Sequence, residues 1–183
     1  MKKLLFASLC ALTMYSCHSD QQEMGLENQA SINSKSKNSS NSENQKNSQE
    51  YEVKRYYSHN LMKHYFGAET LPYSGSWVGE GLAFRTSKYH LGAGSYLPMV
   101  IMVNPVNQDM VIAITPADRE EVEKRGYIFR EVIGYPYPAT NNTFPVYRYY
   151  RASKNGHFYT KNFGELGYGG GDWKYEGIAF YAL

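Results

Sequence analysis

Residues 145–183 read PVYRYYRASKNGHFYTKNFGELGYGGGDWKYEGIAFYAL. Two aromatic runs, at 146–150 and 157–160, flank a turn, and a third run at 175–181 closes the unit. Asn155-Gly156 between the first two is a hairpin signal, because both residues tolerate the backbone such a turn needs. The predicted order is strand, turn, strand, short connection, strand.

The same unit recurs earlier in the chain. Arg55-Tyr56-Tyr57 matches Arg148-Tyr149-Tyr150, and His64-Tyr65-Phe66 matches His157-Phe158-Tyr159, with nine positions from Arg to His in both. WVGEGLAF at 77–84 matches WKYEGIAF at 173–180. A shared W-x-x-E-G-[LI]-A-F is too long for chance and points to duplication.

A middle copy fits between them. Pro98 aligns with Pro145, and Met110-Val111-Ile112 falls on His157-Phe158-Tyr159. Thr115-Pro116-Ala117-Asp118 predicts a capped helix that runs to about Arg125 and stops at Gly126, followed by a strand at 127–135. Here Ile101 replaces the arginine, Met110 replaces the histidine, and Arg130 stands at about the glutamate position. Joint loss suggests that Arg, His and Glu share one task in the outer copies.

The copies span 51–87, 98–137 and 145–183. A unit of roughly 40 residues cannot bury its own apolar face. The runs alternate poorly, which favours strands packed on both faces, or one face covered by neighbouring repeats. The expected fold is mainly β with short helices (α+β). Three hairpin-plus-strand repeats would close about a pseudo-threefold axis, in a β-trefoil-like or propeller-like way.

At these residues the chain resembles a family of repeats of unknown function, DUF5648. Tyr147-Arg148-Tyr149-Tyr150, His157-Phe158-Tyr159-Thr160 and Tyr175-Glu176-Gly177-Ile178 carry the resemblance. The copy at 51–87 is recognisable, and the middle one keeps the spacing without the polar residues. The resemblance implies an extracytoplasmic accessory module of the kind found beside cell-wall or polymer-degrading enzymes. It implies no catalytic residues.

With 183 residues the chain has room for one ordinary domain. A net charge of +2 implies no strong pull toward nucleic acid. Of 18 tyrosines all but Tyr15 lie at or after position 51. The two cysteines, Cys10 and Cys17, lie near the start. The later part therefore has no disulfide, cysteine–zinc site or cysteine nucleophile.

The first residues read as an address. Lys2 and Lys3 precede an apolar run at 4–14, too short to span a bilayer, which ends in Ser16-Cys17. A small residue before a cysteine resembles the cleavage box of bacterial lipoproteins. Residues 1–16 would then be a signal peptide, and Cys17 would carry lipid, palmitate included. The expected location is the cell envelope, lipid-anchored at the outer membrane and surface-exposed. Residues 18–50 are rich in Ser, Asn, Gln, Lys and Glu, with only Met24, Leu26, Ala30 and Ile32 apolar. Such composition cannot offset the entropy of ordering, so 17–50 reads as an acylated tether with a reach of roughly 30 Å.

Two constellations could carry chemistry: Arg55/His64/Glu80 and Arg148/His157/Glu176. They read as structural ion pairs, as a ligand site, or as a His–Glu acid–base pair. The aromatics offer a second candidate, since Tyr and Trp combine apolar area with a polar tip. Tyr73, Tyr168, Tyr89 and Tyr96 are surface candidates. Trp77 and Trp173 occupy equivalent places and read as either repeat core or binding platform. No spacing suggests a metal or cofactor, and Gly169-Gly170-Gly171 lacks the lysine of a phosphate loop.

The expected function is non-catalytic: a surface lipoprotein whose repeat domain binds a glycan, cell-wall polymer or protein, with no nucleic acid. One alternative is an inhibitor or immunity-type lipoprotein against a secreted enzyme or toxin. A second is a cell-wall or glycan hydrolase.

Overall fold

A computed structural model describes residues 49–70 and 76–183. Among them the chain forms three antiparallel sheets and one α-helix. The first sheet holds β1 (Glu50–Ser58), β2 (Lys63–Gly67) and β3 (Trp77–Ser87) in the order β2-β1-β3. The second holds β4 (Val100–Val103), β5 (Met110–Ala113) and β6 (Ile128–Val132) in the order β5-β4-β6. The third holds β7 (Phe144–Arg151), β8 (Gly156–Thr160), β9 (Gly169–Gly170) and β10 (Trp173–Ala182) in the order β8-β7-β10-β9. In each sheet a hairpin is followed by a strand that returns to the far side of the first. The described strands stay in separate sheets and close no barrel, which corrects the trefoil-like expectation.

The helix is α1 (Pro116–Lys124), and its start follows the sequence. Thr115 accepts from the Asp118 N–H, the Asp118 carboxylate accepts from the Thr115 N–H, and Pro116 opens the first turn. Reciprocal bonds of this kind satisfy donors that a helix end otherwise leaves orphaned. Gly126 ends the helix with φ +84°. The Asn155 signal also lands on a turn, in a longer form: a 3-10 turn at Ala152–Lys154 leads into Asn155 at φ 46°, ψ 54°. Asparagine tolerates that left-handed conformation better than most residues.

β2, β5 and β8 are edge strands that face inward and touch one another. β5 and β8 are buried along their whole length, as is β4, which explains the poor alternation seen in the sequence. An inward edge leaves backbone N–H groups without a ladder partner. Side chains from neighbouring sheets supply acceptors. The Phe66 N–H points to the Met110 sulfur at 3.2 Å, the Ile112 N–H donates to the Tyr159 hydroxyl at 3.0 Å, and the His157 N–H donates to Asp109 Oδ1 at 2.7 Å. Tyr149 is likewise fully buried, with its hydroxyl donating to the Gly167 carbonyl at 2.7 Å. Buried tyrosines contribute large apolar area only when the hydroxyl is satisfied.

Around this centre one apolar cluster draws on all three sheets, including Val53, Phe66, Phe84, Ile101, Ile112, Val146, Phe158 and Phe180. The sheets are also joined by backbone bonds near the ends of their last strands. Arg85 and Leu183 exchange bonds at 2.9 and 3.0 Å, and Ser87 and Tyr135 do so at 3.0 and 2.7 Å. Tyr137 donates to the Tyr181 carbonyl at 2.9 Å. Glu131 seals the seam between the first two sheets. Its buried carboxylate accepts from the N–H groups of Ala68, Glu69 and Thr70 at 3.1, 2.9 and 3.2 Å.

Candidate functional site

The motif W-x-x-E-G-[LI]-A-F is a pair of bulges. In β3 the register passes from Gly79 to Gly81 and from Leu82 to Phe84, so Glu80 and Ala83 have no partner on β1. In β10 it skips Glu176 and Ala179 against β7 in the same way. A bulged residue leaves the ladder, and the strand bends there. Gly81 and Gly177 follow at φ +97° and +107°, a backbone conformation that costs glycine little. That geometry turns each glutamate toward its arginine.

The two constellations come together. Arg55 Nε lies 2.9 Å from Glu80 Oε2, with His64 Nε2 3.5 Å from the same oxygen. Arg148 Nε lies 2.9 Å from Glu176 Oε2, with His157 Nε2 at 3.8 Å. Arg148 pairs across the hairpin with Tyr159, and His157 with Tyr150, so both side chains reach one side of the sheet. In β6 the register skips Arg130, so Arg130 is the bulged residue, and Ile101 pairs with Glu131 beside it.

The environments of the two histidines differ. His157 is buried, and its Nδ1 lies 2.6 Å from Asp109 Oδ2. The same carboxylate accepts from the Tyr127 hydroxyl at 2.5 Å. Burial, then the Asp109 charge, pushes the Tyr127 hydroxyl well above its ordinary range. Lys63 is buried nearby and donates to the Asn107 and Asn155 carbonyls at 2.5 and 3.0 Å. Burial lowers its pKa, and the Asp109 charge works the other way. His64 instead lies against Phe158 and Tyr57, with ring centres at 4.5 and 4.8 Å. Among the described residues its buried Nδ1 has no hydrogen-bond partner, and its pKa falls to about 4 through burial first and the Arg55 charge second.

Arg55 also reaches across to the third sheet, 3.2 Å from Glu165 Oε1, and stacks 5.4 Å from the Phe158 ring centre. A small cleft of about 210 Å³ opens there, lined by Arg55, Glu80, Tyr159, Lys161 and Glu165 among others.

The aromatic candidates divide by position. Trp77 and Trp173 open β3 and β10 and pack partly against the core. Trp173 also meets Arg151 at 5.5 Å, and Arg151 is paired with Asp172 at 2.9 Å. Tyr168 is 83% exposed. It stands over Phe163 and Tyr175, with ring centres at 5.0 and 6.0 Å, and Tyr147 continues the group 5.0 Å from Phe163. The loop beside it is bare: an added Cβ at Gly167, Gly170 or Gly171 would meet nothing within 4 Å. Tyr89 and Tyr96 are also exposed, on the loop that precedes β4. Tyr73 and Cys17 lie outside the described residues.

Asp109, Glu165 and Glu131 were not visible as partners from the sequence. Each acts across a boundary between sheets, so no local spacing marks it. Among the described residues no group of three His, Cys, Asp or Glu side chains is placed to hold a metal ion.

No curated protein and no solved structure matches the chain. The profile of a domain of unknown function, DUF5648, matches residues 52–183, from β1 through the last strand, and the chain belongs to that family.

Proposed function

We propose that this is the non-catalytic binding domain of a surface lipoprotein, and that it takes a glycan or cell-wall polymer on the aromatic face around Tyr168. Tyr168 carries this reading. The residue is largely open to solvent, yet its ring is held by edge contacts with Phe163 and Tyr175. A supported aromatic ring can stack on a sugar face with little loss of side-chain freedom. The bare glycine loop lets a bulky polymer approach, and Asp172 and Arg151 provide polar groups nearby.

The Arg/His/Glu constellations support a structural role more than a ligand-binding or hydrolytic one. Each glutamate already faces an arginine, and the His157 Nδ1 faces Asp109. An acid–base pair needs its proton-carrying atoms within reach of substrate. The domain also fits three copies of one unit, at 51–87, 98–137 and 145–183, gathered about a pseudo-threefold axis through β2, β5 and β8. Equivalent registers in the three sheets support that inference: Arg55, Ile101 and Arg148 pair across their hairpins with Phe66, Ile112 and Tyr159. Anchoring through Cys17 remains part of the proposal and rests on the sequence.

The test is a binding titration of the purified chain against peptidoglycan and a glycan panel. Tyr168→Ala should leave the unfolding midpoint unchanged and weaken binding by about tenfold or more, as expected for a hot-spot aromatic. Equal affinity in the variant rejects this face. A single stoichiometric protein partner, with no glycan bound, favours the inhibitor-type alternative instead.

A further inference from the structure

The loop at 88–99 differs from the rest of the surface. Tyr89, Leu91, Tyr96 and Leu97 are 61, 43, 84 and 58% exposed. Four large apolar side chains within nine residues is a dense grouping for a loop. His90 stacks on Tyr96 with ring centres 4.6 Å apart, which holds residues 90 and 96 of the loop together. Gly92 and Gly94 turn the tip at φ +82° and +69°. No carboxylate occurs in the sequence from Thr86 to Gln108. Leu97 continues onto an apolar groove of about 320 Å³ with Pro98, Val100, Phe129 and Val132 in its walls.

The place of the loop is as informative as its composition. The Lys88 N–H donates to the Gln49 carbonyl at 2.8 Å. Residues 1–48 therefore join the domain at the root of this loop. Their sequence holds Cys17, the residue expected to carry the lipid anchor. Under the anchoring reading, the tether enters the domain beside this loop.

We propose that the 88–99 loop is a membrane-contact surface, with Tyr89, Leu91, Tyr96 and Leu97 seated in the headgroup region of a phospholipid bilayer. Tyrosine suits that depth, because its ring favours the apolar side and its hydroxyl stays wet. Lys88 and the lack of carboxylates suit lipid phosphates. Contact of this kind is weak alone and adds to an anchor. The proposal rests on the anchoring reading for its orientation and is independent of the aromatic face around Tyr168.

The test uses the full chain with phosphatidylcholine vesicles that carry brominated acyl chains, which quench nearby tryptophan. Tyr96→Trp is the main reporter, and Tyr89→Trp is a second should the first fail to fold. Val106→Trp is the control; it lies in the turn at the other end of β4 and is 91% exposed. Fluorescence is read relative to the unsubstituted chain, which cancels Trp77 and Trp173. Loop reporters should be quenched more than the control by about twofold or more, as an interfacial seat implies. Equal quenching at loop and control, or none at either, overturns the proposal.

Discussion

Asp109 holds His157 at two points, the backbone N–H at 2.7 Å and Nδ1 at 2.6 Å, from 48 positions away in the chain. Both residues are buried, and the Tyr127 hydroxyl donates to the same carboxylate. The contact joins the second sheet to the third near their inward edges.

Asp109→Ala should therefore cost far more than one hydrogen bond. It would strand the His157 N–H, the imidazole and the Tyr127 hydroxyl in a buried place. Removing one partner from such a group typically costs about 3–5 kcal/mol. Urea unfolding followed by fluorescence measures this. A loss within about 0.5 kcal/mol, the range of ordinary surface substitutions, would show that the cluster is not structural.

His64 gives the domain a dependence on acid. Its folded pKa is about 4, below the unfolded value near 6.5, because burial and then Arg55 disfavour the charged form. The unfolded chain thus takes up the proton first. The stability tied to neutral His64 is present above about pH 6.5 and is lost as pH falls through about 4. Comparison of His64→Gln with the unsubstituted chain at pH 7 and pH 4.5 isolates this from the carboxylates. The unsubstituted chain should lose about 2 kcal/mol more than the variant on acidification. Parallel losses in the two proteins would contradict the assignment.

Two glycines separate backbone strain from steric collision. At Gly81, with φ +97°, an added Cβ meets nothing within 4 Å. Gly81→Ala should cost only the strain of that conformation, about 1–2 kcal/mol. At Gly134, with φ +78°, the same atom would collide with the Ser87 carbonyl oxygen and lie 2.8 Å from Tyr51 Cδ2. Gly134→Ala should add loss of the Ser87–Tyr135 bridge and cost about 4 kcal/mol or more. Melting temperatures of the two variants rank them, and an equal shift would count against the bridge as a structural joint.

Much of this architecture could be read from residue order. The recurring hairpins, the helix cap at Thr115 and its stop at Gly126 are set by neighbours a few positions apart, so sequence displays them. The recurrence of Arg55, His64 and Glu80 as Arg148, His157 and Glu176, and their joint loss in between, suggested a shared task, but strand register decided that they meet on one face. The bulges that aim the glutamates were hidden in the spelling E-G-[LI]-A-F, since a bulge is defined only against a partner strand.

What sequence could not display is how one sheet meets the next. Asp109 on His157, Glu131 on the N–H groups of 68–70, and Glu165 on Arg55 each link residues with no fixed separation. Inward edges create unsatisfied N–H groups, and whichever side chain lies across the boundary must answer them. Local spacing chose the strands and turns. Packing three sheets edge to edge chose the polar contacts at their centre, and it left His64 without the partner that His157 has.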